Sequence, residues 1–324
     1  MILKIFRKIM RIILKPFVRK SLFDYSKLKT ISTLDGNCLS REETSEYIFK
    51  SLQKNDSLMI SRFGYTELNT LFRYDNLIKM NKLEKIYQWA ETKAYPFSKN
   101  CRLNNIYKLS GFFPVNEETL YLFRIEMMKA MQEIDLLGSW VEGENQYNTQ
   151  LANAKISNLI DIEPYFASNP WSLGLEGKKI LVIHPFSEDI ENQYTKKREY
   201  LFKNLNVLPK FDLKTLKAPI TYPGGKVVSK NWFEILDDLT SESLKLDFEI
   251  AIIGCGAYGM PLAARLKKAG KKSIHLGGSV QILFGIKGKR WDNMKNFKEM
   301  YNKHWIYPSS KNRVFRSVED GCYW

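Results

Sequence analysis

Cysteine is scarce in this chain, and so is histidine. Four cysteines (Cys38, Cys101, Cys255, Cys322) lie far apart in 324 residues, with no C-x-x-C pair. That excludes a disulfide-stapled scaffold and a thiolate zinc finger, and fits a reduced, cytosolic setting. Three histidines (His184, His275, His304) are too dispersed for a histidine-rich zinc centre. No stretch approaches the roughly 20 apolar residues that span a bilayer. The N-terminus lacks the unbroken apolar run and small-residue cleavage site of a secretory signal. Internal repeats and low-complexity segments are missing too. What remains is room for one large α/β core or two smaller ones.

Acidic residues are missing from one place in particular. Residues 1–20, MILKIFRKIMRIILKPFVRK, carry seven basic residues and no acidic one, nearly half of a net charge of +15. Ile2, Ile5, Phe6, Ile9, Ile12, Ile13 and Phe17 recur close to helical spacing. A helix with that stripe suits an anionic membrane interface; the alternative is docking on the protein's own core with a solvated basic face. We expect the membrane surface as partner for residues 1–22, at the cytoplasmic face. A second basic run, 287–316, sets nine lysines and arginines against Asp292 and Glu299, with six aromatic residues between them. No nucleic-acid motif accompanies it, so nucleic acid is not expected as a partner. Residues 292–324 read instead as a tail folded over the domain.

Between these ends, strand and helix signals alternate. A capping box, Ser40 with Glu43, opens a helix over 40–54. A strand follows at 57–61, then helices from 66, over 82–94 and over 116–137. The apolar run KKILVIHPF predicts a strand buried on both faces, followed by helices near 188–204 and 230–245. The series closes with EIAIIGCGAYGMPLAARLKKAGKKSIHLGG at 249–278, which reads strand, glycine turn, helix, strand. Alternation of this kind predicts an α/β fold with a Rossmann-like open, mostly parallel sheet flanked by helices, over residues 25–291.

The glycine turn spells G-x-G-x-x-G through Gly254, Gly256 and Gly259, with Ala257 and Tyr258 between. A dinucleotide cofactor would also need an acid at the end of the next strand. That strand ends in His275, Gly277 and Gly278, with no carboxylate. The remaining readings are a pocket for a phosphorylated or nucleotide ligand, whose phosphates would meet backbone N–H groups at a helix start, and glycines needed only for close helix–sheet packing. A second strand–glycine–helix turn, ISRFGYTELNTL, puts Arg62, Gly64, Tyr65 and Glu67 at a sheet's carboxyl edge. Arg62 offers a bidentate fork to phosphate. Glu67 suits a metal, a base or a sugar hydroxyl, and equally its own helix N-terminus. His184 ends the 178–186 strand; it is a candidate general base or a core histidine, and His275 faces the same choice. Ser187, Glu188 and Asp189 begin the next helix, and either acid is an alternative base.

SRFGYTEL resembles the RFGDGE signature of bacterial glycosyltransferases with the GT-D fold. IIGCGAYGMPLA, IHLGGSVQILFGIKGKRW and the ending HWIYP…GCYW look like a branch of that family found in surface-polysaccharide synthesis. The resemblance covers roughly residues 40–290. It implies transfer of a sugar from a nucleotide-sugar donor to a lipid-linked or growing surface glycan. It also implies a divalent ion, Mn2+ or Mg2+, on two carboxylates in D-x-E. Here that triplet is Tyr65-Thr66-Glu67, so only Glu67 remains as a ligand. Arg62, Arg198, Lys287 and Arg290 are the cations that would otherwise neutralise a leaving diphosphate. Other group transfers to polysaccharide, pyruvyl or phosphoryl, and a non-catalytic membrane- or glycan-binding scaffold are the alternatives.

Overall fold

The computed structural model describes residues 2–19, 38–92, 102–221, 230–309 and Tyr323. The chain runs α1 (Ile2–Leu14), β1 (Cys38–Leu39), α2 (Arg41–Gln53), β2 (Leu58–Arg62), α3 (Tyr65–Lys79), α4 (Lys82–Thr92), α5 (Asn105–Ser110) and α6 (Glu117–Met131). Then come β3 (Leu136–Ser139), β4 (Lys155–Asn158), β5 (Lys179–His184), α7 (Ser187–Leu201), β6 (Asp212–Lys217), α8 (Trp232–Leu244) and β7 (Ile250–Ile253). The described chain finishes with α9 (Gly259–Lys268), β8 (Lys272–His275), α10 (Ser279–Leu283), α11 (Lys289–Asp292) and α12 (Lys295–Lys298).

Eight strands form one sheet in the order β1-β4-β3-β2-β8-β7-β5-β6, and every pairing is parallel. Side chains alternate across it with the period of two that a pleated strand imposes. Met59, Leu181, Ile183, Ala251 and Ile253 join one core; Leu58, Ile60, Ile180, Val182, Ile250 and Ile252 join the other. Reading the order from left to right, connections that move left (β2 to β3, β6 to β7, β7 to β8) carry α3, α6, α8 and α9, all packed in the first core. Connections that move right (β1 to β2, β5 to β6) carry α2 and α7, packed in the second. Right-handed crossovers require that division. It has a functional consequence: β5 leads right while its neighbour β7 leads left, so their loops diverge and open a crevice above the carboxyl ends.

The capping box at α2 is present, with Glu43 N–H donating to Ser40 Oγ and Ser40 N–H to Glu43 Oε2. The expected helix over 116–137 is shorter. It stops at Met131, and Leu136–Ser139 is a central strand. A short apolar run does not by its periodicity distinguish strand from helix; here Asp135 decides, its carboxylate accepting from Met59 N–H at 2.7 Å and seating the segment beside β2. The short strands β1 and β4 and the half-exposed edge strand β6 carry no clear alternation and are additions to the sequence reading. Residues 292–309 pack on the second core through Phe297 and Trp305; the rest of the tail, Tyr323 apart, lies outside the described residues.

Helix α1 lies along α4. Arg11 pairs with Glu91 at 3.1 Å, Arg7 Nη2 donates to the Ala90 carbonyl at 3.4 Å, and Phe6 meets Trp89. Among the described side chains of α1 only Leu14 is buried; Ile5, Ile9, Ile12 and Ile13 stay exposed, as do Phe17 just beyond and Leu83 on α4. No helix among the described residues is long and apolar enough to cross a membrane.

Candidate active site

Four strand ends meet at the crevice: β2, β8, β7 and β5, adjacent in that order. β2 delivers Arg62 and is pinned by the wholly buried Phe63. Gly64 caps α3, and the Glu67 carboxylate folds back over it so closely that a Cβ at position 64 would collide with it. Glu67 is thus buried at the third position of α3, against the helix's positive end.

Arg62 is held in an unusual way for a cation. Its guanidinium lies over the Trp140 ring at 4.8 Å, and Trp140 is itself fixed by its Nε1–H donating to the Phe63 carbonyl at 2.8 Å. The Nε of Arg62 is sealed from solvent without a hydrogen-bond partner among the described residues. Burial pulls the guanidinium below its ordinary pKa; Tyr323, Glu67 and Glu163 oppose that shift, and Arg290 adds to it. Across the sheet, Gly277 has a positive φ of 62°, and a Cβ there would lie 3.0 Å from Arg62 Nη1. The glycine after β8 therefore makes room for the arginine that ends β2, which brings the arginine turn against the end of the late strand–turn–helix–strand unit. Gly254 serves close approach likewise: a Cβ there would strike the Gly277 carbonyl.

The histidines are equally constrained. His184 and His275 are each only 4% exposed. His184 Nδ1 accepts the Phe186 N–H at 3.0 Å, which leaves the neutral ring's proton on Nε2. Burial drives its pKa to about 3. A ring whose accepting nitrogen is occupied is a hydrogen-bond donor, so this geometry does not suit the general-base reading of His184. His275 Nδ1 shares a 3.0 Å hydrogen bond with Ser61 Oγ, and burial, with the nearby Arg62 charge, takes it to about 3 as well. Its Nε2 edge packs on Gly259, where a Cβ would collide with it.

Arg62, Gly64, Tyr65, Glu67, His184, Gly254, Gly256, Ala257, Tyr258, His275, Gly277, Gly278 and Arg290 all line one cleft. Four expected site residues do not. Gly259 is taken up by packing on His275. Ser187 is buried at the start of α7, outside the cleft lining. Arg198 is eleven residues further along that helix, about 16 Å at 1.5 Å per residue, donating to the Leu208 carbonyl and paired with Glu199. Lys287 stacks on Tyr301 and Tyr307. Of the alternative bases, Glu188 faces Lys217 at 3.5 Å and Asp189 accepts from Ser309 N–H. The sequence reading missed Lys108, Trp140, Thr221 and Tyr323, which also line the cleft.

The donor set does not fit a divalent cation. Hard cations take several oxygen ligands, whereas among the described residues Glu67 is the single carboxylate lining the cleft, beside the cations Arg62, Lys108 and Arg290. Among the described residues no three His, Cys, Asp or Glu side chains group as a metal site.

No family model matches the chain, and no curated protein matches it. Two solved structures align with 91% of this chain and 96% of their own. One is a selenomethionine-substituted structure of domain of unknown function 1792, 16% identical with a TM-score of 0.37. The other is described as that highly conserved domain having a distinct glycosyltransferase fold, 15% identical with a TM-score of 0.37. At that distance the fold class rests on the sheet order itself.

Proposed function

We propose that the chain is a glycosyltransferase that moves a sugar from a nucleotide-sugar donor to a lipid-linked or growing glycan. The observation that carries this reading is Arg62: a guanidinium whose buried Nε has no partner among the described residues, set against the glycine that follows β8 beside a switch-point crevice. A phosphate supplies the acceptor oxygens such a group lacks. In the reaction the bond between the anomeric carbon and the diphosphate oxygen breaks, and its electron pair leaves with the diphosphate. Arg62, Lys108 and Arg290 neutralise that charge in place of a metal. His184 Nε2–H is a further donor at the cleft. The likeness of SRFGYTEL to the GT-D signature supports the sugar as the transferred group.

The test is a melting-temperature screen of UDP-, GDP- and dTDP-sugars, with and without manganese, and with phosphoenolpyruvate as comparison. One class of nucleotide sugar is expected to stabilise the protein without manganese, by about 2.7 kcal/mol at 100 times its Kd. A response to phosphoenolpyruvate alone, or to none of these, removes the proposal.

The exposed apolar row of α1 supports a membrane-bound acceptor. Roughly 1 kcal/mol per basic residue near anionic lipid is available to the helix. Vesicles containing phosphatidylserine are expected to pellet the protein, and Ile9→Glu with Ile12→Glu to abolish pelleting without lowering the melting temperature. Equal pelleting of the double variant removes α1 as the anchor.

A further inference from the structure

A second cavity of about 710 Å³ adjoins the first, and Arg62, Trp140, Gly278 and Arg290 line both spaces. Apart from Arg62, Arg290 and a few small polar groups its walls are apolar and aromatic, among them Ile160, Trp291, Met294 and Phe297, and two buried acceptor atoms in the same wall keep unfilled hydrogen-bonding capacity among the described residues. Glu163 is 5% exposed; its Oε1 accepts from Ser279 Oγ at 2.5 Å and the Tyr165 hydroxyl lies close enough to favour the carboxylate, but Oε2 makes no hydrogen bond of ordinary geometry among the described residues. Asn158 spends its amide N–H on Asp161, and its Oδ1 is likewise buried and unpartnered among the described residues.

Unpaired acceptors sealed in an apolar wall cost on the order of 1–3 kcal/mol each. A ligand that cancels this cost must bring O–H donors on a body with apolar faces. A sugar ring is such a ligand: hydroxyls at its rim, C–H faces for the aromatic side chains. A phosphate could pair with Arg62 and Arg290 on the shared wall, but the Glu163 carboxylate would repel its charge and it has no apolar face for the aromatic side chains.

We propose that this cavity is the saccharide acceptor subsite, and that Glu163 is the base that takes the proton of the attacking hydroxyl. The proposal rests on the first cleft being the donor site. The acceptor oxygen forms a bond to the anomeric carbon as the diphosphate oxygen leaves with the electron pair, and the hydroxyl proton passes to the Glu163 carboxylate. A single displacement of this kind inverts the anomeric centre. Burial holds Glu163 at about 7, against the lowering effects of the Ser279 and Tyr165 hydroxyls and the Arg62 charge. That is where a base at neutral pH works best. The other charged or titratable groups near it are Arg290 on the shared wall, Asp161 on its own segment, and Tyr301 beside Tyr165.

The test uses the full-length protein and n-octyl glucoside and galactoside as acceptor probes, read by saturation-transfer NMR as well as by turnover. Glu163→Gln is isosteric; Ile160→Trp fills the cavity from a half-buried position without entering the first cleft. At least one octyl glycoside is expected to bind the wild type at millimolar concentration, at least tenfold more weakly to either variant. Both variants are expected to keep the melting-temperature response to the nucleotide sugar. Transfer by Glu163→Gln should fall at least 100-fold, and the acid limb of kcat/KM near pH 7 should vanish. The proposal is overturned by undiminished glycoside binding in both variants, by transfer in Glu163→Gln within threefold of wild type, or by retention at the anomeric carbon. A wild type with no nucleotide-sugar response overturns the donor reading instead; the NMR comparison still decides whether the second cavity takes a saccharide.

Discussion

Arg62→Met is expected to yield a folded protein with an unliganded melting temperature no lower than wild type, and to abolish its response to nucleotide sugar. The two halves of that result share one cause. In the unliganded chain the guanidinium is desolvated, and its Nε finds no acceptor among the described residues. Burying a charge costs several kcal/mol unless its hydrogen bonds are met, and an apolar replacement of similar volume is often neutral or stabilising. Methionine keeps a stem that can lie on Trp140. With donor bound, the balance reverses: hydrogen bonds to a charged group contribute about 1.5–3 kcal/mol each, so losing a bidentate pair weakens donor binding roughly 100- to 10,000-fold. Arg62→Lys is expected to recover little of this, because an ammonium cannot bridge two oxygens as the planar fork does. Glu67→Gln is the complement: donor binding retained, transfer reduced at least 1,000-fold. Calorimetric unfolding with and without donor, alongside turnover, separates the cases. A melting temperature lowered by more than 5 °C in Arg62→Met with donor binding intact would make Arg62 structural. Unchanged turnover in Glu67→Gln would remove that carboxylate from the chemistry.

The two turns that build the first cleft were legible because glycine at the end of a buried strand points to a tight turn or a close approach of backbone. SRFGYTEL and IIGCGAYGM each announce a strand, a tight turn and a helix start within ten residues. That they open on one cleft was not legible: it depends on β8 lying between β2 and β7, and nothing local to either segment specifies those pairings. β3 and β4 lie between the early and late halves of the chain and were not recognised, β3 because its apolar run continues the helical pattern of α6 and β4 because KISN carries no clear alternation. Arg198 and Lys287 were chosen for charge alone, and charge does not report direction; one lies too far along its helix and the other stacks on tyrosines. Glu163 was passed over because it sits in an irregular stretch of short 3-10 turns. A signal existed there: LIDIEPYF places two acids inside an otherwise apolar run, and both are buried. An acid that a folding chain cannot leave outside is worth asking about before the structure is known.

Acid should lower the stability of this protein along two slopes, both set by the buried histidines and the first of them offset by Glu163. Each is held neutral by the fold, with a pKa near 3 against an ordinary 6.5. A depressed histidine pKa gives stability that is complete above pH 6.5 and is lost as pH falls, because the unfolded chain takes up the proton first. The slope is about 1.36 kcal/mol per pH unit for each ring. Glu163 acts oppositely: with a pKa of about 7 against 4.5, the native state takes its proton first. Between pH 6.5 and 4.5 it therefore cancels one histidine, leaving a net loss of about 1.4 kcal/mol per unit. Below pH 4.5 that offset is spent and both rings count, at about 2.7 kcal/mol per unit. Glu84, drawn down to about 2 by Arg19, steepens the fall further. Against a total stability of roughly 5–15 kcal/mol, unfolding is expected between pH 4.5 and 3. Urea unfolding measured from pH 8 to 3.5 should show the break near pH 4.5. Glu163→Gln should raise stability at pH 8 by up to about 3 kcal/mol, 2.5 pH units at 1.36 each, and make the loss begin steeply at 6.5. His184→Asn, whose Oδ1 can still accept the Phe186 N–H, should halve the histidine contribution to the slope. Imidazole NMR signals from His184 and His275 that titrate near pH 6.5 in the folded protein would contradict this account, and with it the assignment of His184 Nε2–H as a fixed donor facing the crevice.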